Sequence, residues 1–397
     1  MDKHLSASPQ AHSQARSHAE PPLEQLVAEV MAGSGQSLAD SETLPPAVYT
    51  SQAFYDLEVE KIFKPEWVCI GHVSMLSKPG DYVSLDLFGE MLVVTHAADG
   101  LVRVLSRVCL HRWAPIVEGS GNAKILSCPF HRWGYSLDGK LTAAPHMEQA
   151  AGFDKAECQL PEYKSEIVGG FIFVNLDGQA PPLAPRLAEM TDSLARYRTD
   201  ELHVAHTLTY DCAFNWKIVA ETFMEPYHHI GPHLKSFERD FPGRLGFIED
   251  GRKDWTICHC VARPELGQAA YHFGFPMLPD LTDAEKGDFR CYLAYPYHLL
   301  SVHPDRIIWF CLRPLGPART ILDCHVMIRA ETFDTPGFRE EFDRQMVSLH
   351  EVNLEDVGVN DMQQRGATTG AARIGRLSHL EKAVWQIADY VRGRIGS

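Results

Sequence analysis

The sequence contains no apolar run of about 18 residues, the length that marks a membrane-crossing helix. Residues 1–20 are polar, rich in Ser, His and Ala, and hold no apolar stretch of the kind that drives secretion. The expectation is a chain of the reducing cytoplasm with no membrane partner. Basic residues are in deficit, 37 Lys and Arg against 52 Asp and Glu, for a formal net charge of −15. Phosphate backbones need clustered cations, so nucleic acid is excluded as a partner. No G-x-G-x-x-G followed by an acidic residue is present, so the chain carries no evident dinucleotide site of its own. The ten cysteines stand mostly singly rather than in the dense array of a small disulfide scaffold. In a reducing compartment, clustered Cys and His point to metal or catalysis rather than to cross-links.

What is present allows a sizeable core: 45% of the 397 residues are hydrophobic, and the length suits two or three domains. Residues 1–46 read as a mobile tail, a short helix at 21–32 and a turn-rich linker. Residues 53–63 show helical spacing. From 67 onward the texture is of short strands (67–73, 82–87, 91–96, 102–108, 124–128, 134–137, 166–168 and 171–175). Turn signals such as Gly80-Asp81, Phe88-Gly89 and Asp99-Gly100 separate them. Residues 47–180 are therefore predicted to form a small all-β domain. Residues 181–397 read as α+β. Helices are expected at 185–197 and 215–225, and strands at 202–214, 255–262, 290–297, 306–312 and 320–330. A long helix should start near Pro336, with Phe338, Phe342, Met346, Leu349 and Val352 as its buried stripe and Gly366 near its end.

Cys109, His111, Cys128 and His131 form the pattern C-x-H-x16-C-x2-H. Two thiolates and two imidazoles can hold one zinc ion, or a 2Fe–2S cluster with the Cys pair on one iron and the His pair on the other. Zinc fingers bring their Cys together first and their His later. Here each of two loops supplies one of each, which suits facing loops that grip a cluster.

A second pattern, E-x2-H-x4-H, runs through Glu225, His228 and His233. Two His five apart do not share a face of a regular helix. Pro226 removes a backbone donor and should bend the segment, letting both rings turn to one point. A 2-His-1-carboxylate triad needs a carboxylate from elsewhere. Asp356 is the first choice, because it continues the apolar stripe through Leu349 and Val352 and a buried carboxylate needs a charge partner. Glu355 and Asp361 are the rivals. Glu225, three residues before His228, shares its face, and Glu221 lies one turn further back. His229 fits no ligand position and reads as a pocket neighbour. Cys258 and Cys260 alternate with His259 in a strand and read as small buried hydrophobes. Trp255, Tyr271, Phe273, Phe275, Tyr292, Tyr295 and Tyr297 are core candidates that could lend some faces to a pocket.

The segments Cys109-Leu110-His111-Arg112 and Cys128-Pro129-Phe130-His131-Arg132-Trp133 resemble the Rieske motif of ring-hydroxylating oxygenases, and the later His, His and distant Asp fit the same family. The resemblance covers about 48–392. It implies a Rieske 2Fe–2S domain followed by a helix-grip-like catalytic domain with an antiparallel sheet. It implies a cluster on Cys109, His111, Cys128 and His131, and a mononuclear Fe(II) on His228, His233 and Asp356. Electrons would come from NAD(P)H through a separate reductase or ferredoxin, and dioxygen would hydroxylate an organic substrate. An aromatic substrate, as in aromatic hydrocarbon catabolism, is expected first. Oxidative attack on a quaternary ammonium or N-methyl substrate is the alternative, and a Rieske electron-transfer protein is the reading from another class. The family resemblance further implies a ring of three subunits, in which Glu225, where the family usually has Asp, bridges the two metal sites across a subunit boundary. Trp113 and Arg132 depart from the pattern, which usually has Gly near the second ligand of each half.

Overall fold

The computed structural model describes residues 21–272 and 274–396. The predicted mobile tail at 1–20 and the aromatic Phe273 lie outside the described residues. The chain forms two compact units. One is Phe63–Pro185, and the other joins the residues up to Ile62 to Arg186–Ser397. This boundary differs from the expected one at 47. Helix α1 (Leu23–Ala32) buries Leu26 and Val30, and its partner is the C-terminal helix: Arg392 Nε donates to Val30 O at 3.0 Å. The presumed linker is tied down as well, by an antiparallel bridge between Glu42 and Arg376. An amphipathic stripe shows that a helix needs a partner, but not that the partner lies some 350 residues away. Helix α2 (Gln52–Glu58) continues into a wider turn at Val59–Phe63.

The Phe63–Pro185 unit is all-β. Its main strands are β1 (Trp67–His72), β2 (Asp81–Leu87), β3 (Glu90–His96), β4 (Val102–Ser106) and β5 (Ser120–Asn122). Then come the short β6 (Leu126–Ser127), β7 (Gly134–Tyr135) and β8 (Leu141–Ala143), followed by β9 (Glu162–Val168) and β10 (Phe171–Asn175). One sheet runs β1-β10-β9-β4-β3-β2-β5, and β6-β7-β8 form a second, three-stranded one. The core between them includes Val93, Leu105, Leu126, Trp133 and Tyr135, with Cys109 and Cys128 at its edge.

The other unit has helix α3 (Ala188–Leu194), then β11 (Leu202–Cys212) and helix α4 (Trp216–Met224). Strands β12 (Phe247–Ile248), β13 (Trp255–His259), β14 (Arg290–Ala294), β15 (His298–His303), β16 (Arg306–Gly316) and β17 (Arg319–Arg329) follow, with helices α5 (Phe338–Ala367) and α6 (Lys382–Ile395). The antiparallel order is β11-β17-β16-β15-β14-β13-β12. Residues 290–297, expected as one strand, end at Ala294 and turn into β15, which the sequence reading missed. Its HLLSVH run is buried throughout and shows no alternation, so it carries little periodic pattern. The aromatic cluster proves to be core: Trp255, Phe275, Tyr292, Tyr295 and Tyr297 are all buried.

Candidate metal centres and substrate pocket

The two Cys–His loops of the all-β unit are built alike. Cys109 N–H donates to Ala114 O and Trp113 N–H to Cys109 O, both at 3.0 Å; Cys128 N–H donates to Trp133 O at 2.8 Å and Arg132 N–H to Cys128 O at 3.0 Å. Each turn places its fourth residue after the Cys in the left-handed region, Trp113 at φ 58° and Arg132 at φ 59°. That geometry explains why Gly suits these positions. Both Cys are 1% exposed. Tyr135 OH lies 3.4 Å from Cys109 Sγ. The His111 and His131 rings meet edge to face, centroids 4.6 Å apart, and His111 stacks on Trp133. Thiols point inward and imidazoles outward, as a 2Fe–2S cluster with unlike ends requires. A single zinc needs its ligand atoms to close on one point. The paired buried thiols and paired outer imidazoles of these loops thus fit a cluster.

In the other unit the Asn215 side chain caps α4, accepting from Lys217 N–H at 3.0 Å. The helix ends at Met224 and Glu225 is extended. Tyr227–Ile230 then form a tight turn. Glycine fixes the bend from outside, because a Cβ at Gly243 would run into the Pro226 carbonyl. The bend does bring the two rings together, with His228 and His233 centroids 5.0 Å apart. Helix α5 supplies the carboxylate: Asp356 Oδ1 lies 2.9 Å from His233 Nε2 and 3.6 Å from His228 Nε2.

Both imidazoles are held from behind. His228 Nδ1 meets Glu225 Oε1 at 3.0 Å, and His228 N–H donates to Glu225 Oε2 at 3.0 Å. His233 Nδ1 meets Glu355 Oε2 at 2.7 Å, and Ser236 Oγ donates to the same oxygen at 2.6 Å. An ionised carboxylate only accepts, so each Nδ1 carries a proton and donates, which leaves each Nε2 facing Asp356. Asp356 Oδ1 is buried and has no hydrogen-bond donor. Two imidazole nitrogens and a carboxylate oxygen facing one point match the donor set of a 2-His-1-carboxylate site and could hold a divalent iron. Charge agrees. Burial alone would lower the pKa of His233, but Asp356 and Glu355 together hold it up to about 8. These carboxylates favour a cation at this place.

The rivals fall elsewhere. Glu355 orients His233, and Asp361 pairs with Arg365 at 3.1 Å. Glu221 is buried and accepts from Tyr49 OH at 2.7 Å. Burial, with nearby carboxylates, pushes its pKa up to about 7 despite that bond and Lys217. It faces a buried network in which Lys217 and Glu58 pair at 2.6 Å, away from the imidazoles. His229 lines the pocket with its Nδ1 3.0 Å from Phe241 O, and burial takes its pKa down to about 3.

A cavity of about 980 Å³ opens on the triad. Its walls include Phe223, Phe237, Phe241, Phe289 and Phe310, with Cys258, Cys260 and Cys291 on the sheet side. The sequence reading named none of these Phe residues. They come from four separate segments that only folding brings together. Phe237 stacks on Phe241 at 4.8 Å, and Phe289 meets both at 5.6 Å.

Residues 66–164 match the Rieske [2Fe-2S] domain, and residues 199–397 match the ring hydroxylating alpha subunit catalytic domain. The chain is 30% identical over 265 residues to the carnitine monooxygenase oxygenase subunit of Acinetobacter pittii (strain PHEA-2), covering 66% of this chain and 68% of that one. It is 31% identical over 380 residues to the glycine betaine monooxygenase oxygenase subunit of Chromohalobacter salexigens, covering 88% and 84%. A solved quaternary ammonium Rieske monooxygenase, described in terms of carnitine oxidation and inter-subunit electron transfer, superposes with a TM-score of 0.77. It is 24% identical, covering 90% of this chain and 96% of that one. The chain belongs to the ring-hydroxylating alpha-subunit family of Rieske non-haem iron oxygenases. It is the oxygenase component of such a system, an enzyme class that uses dioxygen and receives electrons from a reductase or ferredoxin. Among the described residues no helix is long and apolar enough to cross a membrane.

Proposed function

We propose that this oxygenase attacks a small N-methylated or quaternary ammonium substrate held in the cavity over His228, His233 and Asp356. The observation that carries the reading is the convergence of these three ligand atoms at the wall of one aromatic-lined cavity. Cationic N-methyl groups are stabilised against aromatic rings, and carnitine and glycine betaine are the substrates named for the two relatives. This favours the ammonium alternative over the aromatic substrate expected first.

Bound at the two sites, a 2Fe–2S cluster would store electrons and Fe(II) would activate dioxygen. The rest is done by the chain. Cys109, His111, Cys128 and His131 would hold the cluster; His228, His233 and Asp356 would hold the iron. Glu225 and Glu355 keep the Nδ1 protons and fix the ring planes, so the Nε2 atoms stay aimed at the metal. The Phe walls exclude water. Glu225 is also assigned as the bridge to a Rieske imidazole of a neighbouring copy in a ring of three, a reading supported by the inter-subunit electron transfer described for the solved relative. Trp113 and Arg132, exposed beside the cluster loops, shape the surface that an electron donor meets. The ten free cysteines suit a reducing cytoplasm.

The test is oxygen uptake by the iron-loaded protein with a partner reductase and NADH, across N-methylated and aromatic compounds. Uptake matched one-to-one by product is expected with a trimethylammonium compound. Matched turnover with aromatic hydrocarbons alone would overturn the substrate reading and restore aromatic hydroxylation.

A further inference from the structure

We propose that His229 positions the substrate: its Nε2 accepts a hydrogen bond from a donor on the bound molecule, an ammonium N–H or a hydroxyl, so that the cavity selects compounds that carry one. For the ammonium source this rests on the substrate reading above. His229 sits in the tight turn Tyr227–Ile230, directly after His228. Its backbone N–H donates to Pro226 O at 3.3 Å, so the turn itself holds the residue. Its ring centroid lies 4.9 Å from that of His228 and 5.8 Å from that of His233, and the Phe237 ring meets it edge to face at 5.0 Å. It stands outside the group of converging ligand atoms. The residue is 6% exposed and lines the cavity.

One edge of the ring is fixed by the fold. Nδ1 lies 3.0 Å from Phe241 O, a carbonyl can only accept, and so Nδ1 carries the proton. Burial keeps the ring neutral, which leaves Nε2 with a lone pair and no proton. Among the described residues no group bonds Nε2, and the atom is not sealed within the protein, so it opens on the cavity that the residue lines. Two hydroxyls of the same wall are engaged elsewhere: Thr222 Oγ1 donates to Asn360 Oδ1 at 2.7 Å, and Ser236 Oγ to Glu355 Oε2 at 2.6 Å. Phe237 and Phe241 stand beside the imidazole and can accept no ordinary hydrogen bond. A substrate donor brought into such surroundings loses its bond to water, and Nε2 replaces it. An anion gains nothing here, because Nε2 offers no proton. A donor held at this atom also fixes which part of the substrate lies beside the iron ligands.

The experiment measures equilibrium binding to the iron-loaded protein, and steady-state kinetics with a partner reductase and NADH, for three matched pairs of probes. They are a dimethylammonium compound and its trimethyl counterpart, a hydroxylated trimethylammonium compound and its deoxy counterpart, and an aryl alcohol and its parent hydrocarbon. The wild-type chain should bind the donor-bearing member of at least one pair roughly tenfold more tightly, the size of one hydrogen bond. His229→Asn keeps an amide N–H where Nδ1 stood, and with it the Phe241 bond, but has nothing to accept at the Nε2 position. It should remove most of that preference and raise KM more than it lowers kcat, while iron content and the visible absorption stay as in the wild type. His229→Gln puts an amide oxygen near the Nε2 position and should restore part of the preference. Thermal unfolding checks that both variants are folded. The assignment is overturned if the wild type shows no preference in any pair, if the preference survives in His229→Asn, or if that variant loses its iron. If only the aryl pair shows the preference, and His229→Asn removes it, the positioning role stands and the ammonium reading fails. A response in either ammonium pair supports both, and the pair that responds tells N–H from hydroxyl.

Discussion

Asp356 Oδ1 and the two Nε2 atoms form a cluster suited to a cation. Without one, the carboxylate is offset only by a proton on the imidazoles, whose pKa the carboxylates raise. Asp356→Ala should therefore lose the single iron while the cluster keeps its visible absorption. Glu355→Gln should keep the site but bind iron about 10–100-fold more weakly, as losing an orienting partner does. Asp361→Ala should change neither. Iron per chain after dialysis, read beside the visible spectrum, checks all three. Full iron retention by Asp356→Ala would mean that the triad is wrongly drawn. Asp356 was legible in the sequence because it prolongs an apolar stripe on a helix. The task of Glu355 was not legible, since helical position does not say which edge of an imidazole a side chain from another element will meet.

The Cys–His turns show how an element can be read correctly in pattern and still conceal its strain. Motif spacing gave the candidate ligands; only the backbone shows that Trp113 and Arg132 occupy left-handed positions. A non-glycine residue there costs about 1–2 kcal/mol. Trp113→Gly should leave the cluster absorption intact and raise the melting midpoint of the Rieske unit by a few degrees; a fall in the midpoint would argue that the exposed indole is held by contacts that offset its backbone cost.

Helix α4 carries a different tension. Glu221 has a folded pKa of about 7, above its ordinary 4.5. Between these values the folded chain keeps a proton that the unfolded chain has already lost, so stability falls as pH rises through that window. The penalty is complete above about pH 7 and is on the order of 3 kcal/mol. Glu221→Gln still accepts from Tyr49 and should flatten this fall, gaining stability at pH 8 but not at pH 4, as urea denaturation at each pH would show. Equal effects at both pH values would contradict the assignment. The helix was readable in the sequence, and its Asn215 cap appears only in the structure. The buried Tyr49, Lys217 and Glu58 around it were not readable, because Tyr49 and Glu58 reach it from some 160 to 170 residues away.

At the scale of the whole molecule, the order of the two metal patterns along the chain was enough to give the class, and strand spacing enough to separate an all-β unit from an α+β one. The N-terminal segment was misplaced because its partner is the far C-terminus, and the cavity walls were missed because they are assembled from distant segments. The central claim is that the two sites work as one oxygenase, with Glu225 between them. It is tested most directly by a single turnover: the cluster is reduced, the reductase removed, and substrate and dioxygen are added. The wild-type chain should reoxidise its cluster and form product. Asp356→Ala should form none, and Glu225→Gln, with both sites loaded, should be slower by at least about tenfold, roughly 1.4 kcal/mol on the barrier. Cluster reoxidation at the wild-type rate in Asp356→Ala would contradict the account.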